Sequence, residues 1–117
     1  MELLSDADLR KLESQDPFGP YGPKRELTQE EELVLVKFFM PATGWTWYAV
    51  SASRDPKTGD VQFFGLVDGL VPELGYFWLS ELKEVRGPFG LPVERDLYWT
   101  PKPLIKVMEE VEHGAML

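Results

Sequence analysis

The sequence predicts an α+β fold: one domain over residues 1–117, with an antiparallel sheet of about five strands and helices packed against it. Three observations carry that prediction. Runs of strand-forming residues, such as Leu33-Val-Leu-Val-Lys-Phe-Phe39, recur between short turn signals through the middle of the chain. Capped stretches with helical spacing of leucines lie near the two ends. Apolar residues make up 44% of the chain and aromatic residues 13%, which is material enough for a core without disulfides.

The first element is a helix over 5–14. Ser5 and Asp8 have capping-box spacing, Leu4 is placed to staple onto Leu9, and Leu9 and Leu12 share a face. Pro17 sets its end near Ser14, because the residue before a proline avoids helical geometry. Residues 16–27 follow as a proline-rich extended arm within the domain, with Phe18 and Tyr21 available for packing. Its Pro20-Tyr-Gly-Pro23-Lys24-Arg25 stretch also matches a short proline-rich ligand, though a tether along the domain is the favoured reading.

Thr28 to Glu31 has the pattern of a single capped turn, and the strands then begin. They are expected at 32–40, 45–54, 60–67, 76–79 and 91–99. Asp55-Pro-Lys-Thr-Gly59 is the strongest turn, with Pro56 fixing φ and Gly59 free to take a positive one. After Val67 the reversal falls either at Asp68-Gly69 or in Pro72-Glu-Leu-Gly75. A short helix is expected at 80–86, capped by Ser80 and stopped by Gly87 and Pro88. The last helix is expected at 101–113, with Thr100 as cap, Pro101 in its first turn and Gly114 as its end.

Charge limits the function. Twelve basic against twenty acidic residues give −8, and no basic run is present, so direct binding to duplex nucleic acid is disfavoured. With no cysteine, disulfides, thiolate nucleophiles and sulfur-ligated zinc are excluded. The start of the chain lacks a secretory pattern and no apolar run is long enough for a membrane span, so the cytoplasm is the expected compartment. A single histidine, His113, excludes two-histidine metal sites and most histidine-assisted nucleophiles within one chain. Its place in the last turn of a helix is accounted for by the helix dipole. Gly65, Gly69 and Gly75 lack the lysine and context of a phosphate loop, and no metal or cofactor is expected.

Arg95 is the most informative single residue. Strand alternation places Val93, Arg95, Leu97 and Trp99 on one face, so the guanidinium needs a carboxylate partner. Glu81 and Glu73 are the expected partners in a structural ion pair. Lys37 lies among apolar neighbours in the same way, and its long stem allows it to reach solvent. Asp68 followed by Glu81-Leu-Lys83 imitates the Asp…Glu-x-Lys arrangement of metal-dependent nucleases, although here Glu81 begins a helix. The aromatic residues of the strands are expected in the core, since a base-stacking surface would lack basic support.

The blocks Val36-Lys-Phe-Phe39, Trp45-Thr-Trp-Tyr48, Phe64-Gly-Leu-Val67, Glu73-Leu-Gly-Tyr-Phe77, Leu79-Ser-Glu-Leu82 and Gly90-Leu-Pro-Val-Glu-Arg-Asp96 occur in a recognisable order. Together they resemble a family of small bacterial proteins of unknown function carried on plasmids, conjugative elements and phages. The resemblance spans roughly residues 33–105 and implies a setting rather than a reaction.

The expected function is that of a non-enzymatic accessory protein that binds a protein partner. One form is an acidic decoy, with Glu30-Glu31-Glu32 and Glu109-Glu110-Glu112 imitating DNA phosphates. The alternative is a small metal-dependent hydrolase or nuclease using Asp68, Glu73, Glu81 and Arg95.

Overall fold

The computed structural model describes residues 2–116. Its elements are α1 (Asp6–Ser14), β1 (Leu33–Val34), β2 (Val36–Phe39), β3 (Thr46–Arg54), β4 (Val61–Asp68), β5 (Pro72–Trp78), α2 (Leu79–Glu84), β6 (Glu94–Arg95), β7 (Lys102–Pro103) and α3 (Leu104–Met116). A five-stranded antiparallel sheet has the order β5-β4-β3-β2-β6, and β1 pairs with β7 in a separate ribbon. The α+β fold expected from the sequence is the one observed.

Two cores form because the sheet is covered on both faces. On one, α1 contributes Leu9 and Leu12 and α2 contributes Leu82 against Val36, Phe38, Phe63 and Phe77. The rings of Phe38 and Phe63 are 5.6 Å apart and those of Phe63 and Phe77 5.1 Å apart. Burying each of these rings contributes about 1.5–3 kcal/mol. On the other face, Leu104 and Val107 of α3 pack on Val34, Tyr48, Val50 and Leu66.

A β-bulge in β3 decides what each face presents. The pairing Ala49↔Gly65 is followed by Ser51↔Phe64, so Val50 is the extra residue. Ala49 and Ala52 therefore both meet the first core, whereas strict alternation would have put them on opposite faces. The bulged carbonyl is not left unpaired. Gln15 Nε2 donates to Val50 O at 2.6 Å and to Leu33 O at 2.8 Å, binding the end of α1 to β1 and β3.

Several local expectations hold. Ser5 and Asp8 form the capping box of α1. Thr28 and Glu31 cap one another reciprocally. The β3–β4 hairpin closes with Gly59 N donating to Asp55 O at 2.9 Å and Gly59 at φ +75°.

Others are corrected. The strand expected at 32–40 is split: Leu33 and Val34 leave the sheet to pair with Lys102 and Pro103. The strand expected at 76–79 begins at Pro72, because the reversal occurs over residues 68–71 and a proline is tolerated at the start of an edge strand. The strand expected at 91–99 shrinks to Glu94–Arg95, since the chain turns at Leu97 and Tyr98 with Tyr98 N donating to Asp96 Oδ1 at 2.9 Å. Trp99 consequently packs on the α3 face, not beside Arg95. The helix expected at 80–86 spans Leu79–Glu84, and its N-terminal donor is satisfied from a distance: Ser80 N and Oγ donate to the Asp60 carboxylate. The helix expected at 101–113 starts only at Leu104, because Lys102 precedes Pro103 and is held extended. It continues past Gly114 to Met116. The arm over 16–27 is turned rather than extended, with Gly19 N donating to Asp16 O and Gly22 N to Gly19 O. A Cβ on Gly22 would lie 1.6 Å from Asp16 O, so only glycine fits that turn.

Candidate functional site

Arg95 does have a carboxylate partner, but it is Asp8. The guanidinium grips Asp8 with both terminal nitrogens, Nη1 donating to Oδ2 and Nη2 to Oδ1 at 3.0 Å. Arg95 is opposite Phe38 in the sheet and so faces α1, whose first turn carries Asp8. Burial on its own raises the Asp8 carboxyl, but the hydrogen bonds from Arg95 and Ser5 outweigh it and hold it down at about 2. Arg95 Nε is buried and has no hydrogen-bond partner among the described residues. The same carboxylate thus serves as helix cap and as counter-ion.

Glu73 and Glu81, the partners expected from the sequence, lie elsewhere. Glu73 is on β5 and Arg95 on β6, the two opposite edges of the sheet. Four strand spacings separate them, about 19 Å. Asp68 pairs with Pro72 at one end of β4, whereas Trp78, just before α2, pairs with Gln62 at the other. That places Asp68 about 20 Å along the strand from the start of α2 and its Glu81. The four residues of the hydrolase reading do not converge. Among the described residues no three His, Cys, Asp or Glu side chains gather in a way that could hold a metal ion.

Lys37 settles over the rings of Trp99, at 5.3 Å, and Tyr48, at 5.6 Å, with Asp96 Oδ2 at 3.7 Å. Lys102 lies 5.1 Å from the Trp99 ring on the strength of its own pair with Glu110 at 2.6 Å. Trp99 Nε1 donates to Val34 O at 2.9 Å. This stack joins α3 to the sheet and occupies Lys37, Lys102 and the Trp99 N–H. Burial raises the Tyr48 hydroxyl, and Asp68, Glu110 and Asp96 add to the effect.

The acidic clusters are partly neutralised. Arg25 holds Glu31 with two hydrogen bonds, at 2.9 and 2.6 Å, and keeps its carboxyl at about 2. Lys102 takes Glu110.

One trough, of about 780 Å³, lies between α1, the arm and Arg54, and another, of about 380 Å³, opens on the α3 side of the sheet, next to the arm. Because of the bulge, Ser51 and Ser53 fall there, opposite Phe64 and Gln62 of β4, and Tyr76 of β5 continues the floor. The rings of Phe64 and Tyr76 are 5.4 Å apart. Asp16, Glu26 and Glu32 stand along its wall. Burial raises the Glu32 carboxyl, and Glu26 beside it raises it further. Ser51 is the buried polar residue of the described core, 7% exposed. Sequence reading did not single out Gln15 or Ser51, since the bulge that places both has no local signature.

The trough ends at an open sheet edge. β5 pairs with β4 alone, and Leu70, Val71, Leu74 and Tyr76 are exposed on it and its turn, Leu70 at 92% and Tyr76 at 69%.

Fold and surface define a small α+β domain with an uncovered sheet edge beside an acidic trough. The chain belongs to a family described as protein of unknown function (DUF2958), whose model matches residues 21–115. The match takes in the whole sheet and α2 but leaves out α1, and with it Asp8. No curated protein and no solved structure matches the chain. Among the described residues no helix is long and apolar enough to cross a membrane.

Proposed function

We propose that this protein is a non-enzymatic binding module that engages a protein partner through the open edge of its sheet. The observation that carries the reading is β5 itself. Its seven residues, Pro72–Trp78, pair on one side only. Exposed long edges are templates for another strand, and soluble proteins usually blunt them with lysines or bulges. Here Glu73 is the single charged residue of the strand, and Leu74 and Tyr76 offer apolar contact beside the unpaired backbone. Extended peptides bind such edges through main-chain hydrogen bonds, with alternate side chains giving specificity.

The hydrolase reading is not favoured, because Asp68, Glu73, Glu81 and Arg95 are dispersed and Arg95 is committed to Asp8. The decoy reading is weakened by the neutralisation of Glu31 and Glu110. The charge of −8 argues against a duplex nucleic-acid partner. The setting we assign is bacterial mobile-element biology, on the strength of the sequence blocks.

The test compares tagged parent protein with Leu74→Lys, which places a cation on the edge, and with Glu84→Lys as a surface control. The expected result is a specific partner captured by the parent and the control and lost with Leu74→Lys. Equal capture of every protein by all three would overturn the reading.

A further inference from the structure

We infer that the trough beside β5 recognises an arginine side chain carried by an extended segment of the protein partner. This deepens the binding-module reading and rests on it. The first support is charge. Asp16, Glu26 and Glu32 line the trough, and none of them is in an ion pair among the described residues. Of the cations in the arm and at the hairpin, Arg25 is paired with Glu31, Arg54 with Glu13, and Lys24 donates to Gly19 O. Glu26 and Glu32 repel one another, and a cation between them relieves both.

The second support is independent of charge. Ser51 is more than nine-tenths buried, lines the trough, and its hydroxyl has no hydrogen-bond partner among the described residues. Arg95 Nε is the one fully enclosed side-chain donor or acceptor without a partner among the described residues, so the Ser51 hydroxyl opens onto the trough, where it can accept from a guanidinium. The third is the floor. Phe64 and Tyr76 present a tilted pair of rings, on which a planar guanidinium stacks better than the point charge of an ammonium. A hard metal ion would gain nothing from such rings, and a phosphate would meet the wrong sign of charge.

Position fixes the way in. Tyr76 is at once part of the trough floor and of the open edge strand. A segment added along β5 therefore runs past the mouth of the trough, and a long side chain pointing to the α3 side enters it over Tyr76.

The probe is a short extended peptide of alternating threonine and valine with one central arginine, titrated into isotope-labelled protein and followed by amide NMR. The control peptide carries citrulline, which keeps the shape and removes the charge. The arginine peptide should shift the amides of Ser51, Phe64 and Tyr76 saturably, and citrulline should bind about tenfold more weakly, about 1.4 kcal/mol. The double variant Glu26→Gln, Glu32→Gln should show the same loss. Both positions are at least partly solvent-accessible, and an unchanged melting temperature would show the variant to be folded. Equal binding of the two peptides would overturn cation recognition. Shifts confined to β5 would overturn the trough while leaving the edge reading intact. No binding of either peptide would overturn the inference, whereas the Leu74→Lys comparison tests the edge separately.

Discussion

Replacing Arg95 by Met removes the guanidinium while keeping an apolar stem of similar reach. Asp8 is then left with only its Ser5 hydrogen bonds, at 3.1 Å from the backbone N–H and 2.6 Å from the hydroxyl. The carboxyl is held at about 2 against an ordinary 3.8, and this difference, to which Arg95 and Ser5 both contribute, corresponds to roughly 2 kcal/mol. The two side chains retain 20% and 16% of their exposure, so solvent reduces the pair's worth. Removing the guanidinium also relieves the unpaired Nε. A net loss of about 1 kcal/mol is expected, which for a domain of this size lowers the melting temperature by about 4 °C. The sign with pH follows from the depressed carboxyl. Its contribution is fully present above the unfolded value near 4 and is lost as pH falls through about 2. Thermal melts followed by circular dichroism should therefore separate parent and variant at about pH 6 and bring them together near pH 2. Asp8→Asn and the double variant complete a cycle that isolates the coupling. If Arg95→Met melts with the parent at neutral pH, or if the gap persists unchanged in acid, the pair does not hold α1 to the sheet as described.

Other consequences are as direct. A Cβ on Gly65 would stand 1.8 Å from Tyr48 O, so Gly65→Ala should cost several kcal/mol or abolish folding. Its cross-strand neighbour Gly75 meets nothing within 4 Å, and Gly75→Ala should melt within about 2 °C of the parent. Equal melts for the two would contradict the close approach of β3 and β4. Millimolar magnesium or manganese should leave the melting temperature unchanged, because Asp68 and Glu73 point to opposite faces of the sheet and Glu81 lies at the far end of β4. A rise of several degrees, abolished by Glu81→Gln, would instead reveal a site of the kind that stabilises by about 2.7 kcal/mol at a hundredfold excess over Kd.

Local chemistry wrote much of the fold into the sequence. Ser5 with Asp8, Thr28 with Glu31, and Asp55 through Gly59 each carry their whole structural instruction within a few residues, and each forms as expected. The α+β class follows from such segments, since capped helices and short strands between turns have few ways to bury their apolar faces together. The net charge, the single histidine and the absence of cysteine likewise narrow the chemistry through composition alone.

Tertiary structure alone decided the partners of long-range groups. Alternation gave Arg95 a need for a carboxylate, yet nothing near it in sequence could choose between twenty acids. Strand order made the choice, by placing β6 beside α1 and sending Glu73 to the far edge. The extra residue Val50 is invisible in a run of strand formers, but it turns Ser51 toward the trough and recruits Gln15 from α1. Which strand remains unpaired is also a property of the assembled sheet. A strand's own residues encode its tendency to extend, whereas its neighbours are fixed only when every apolar face competes for cover at once.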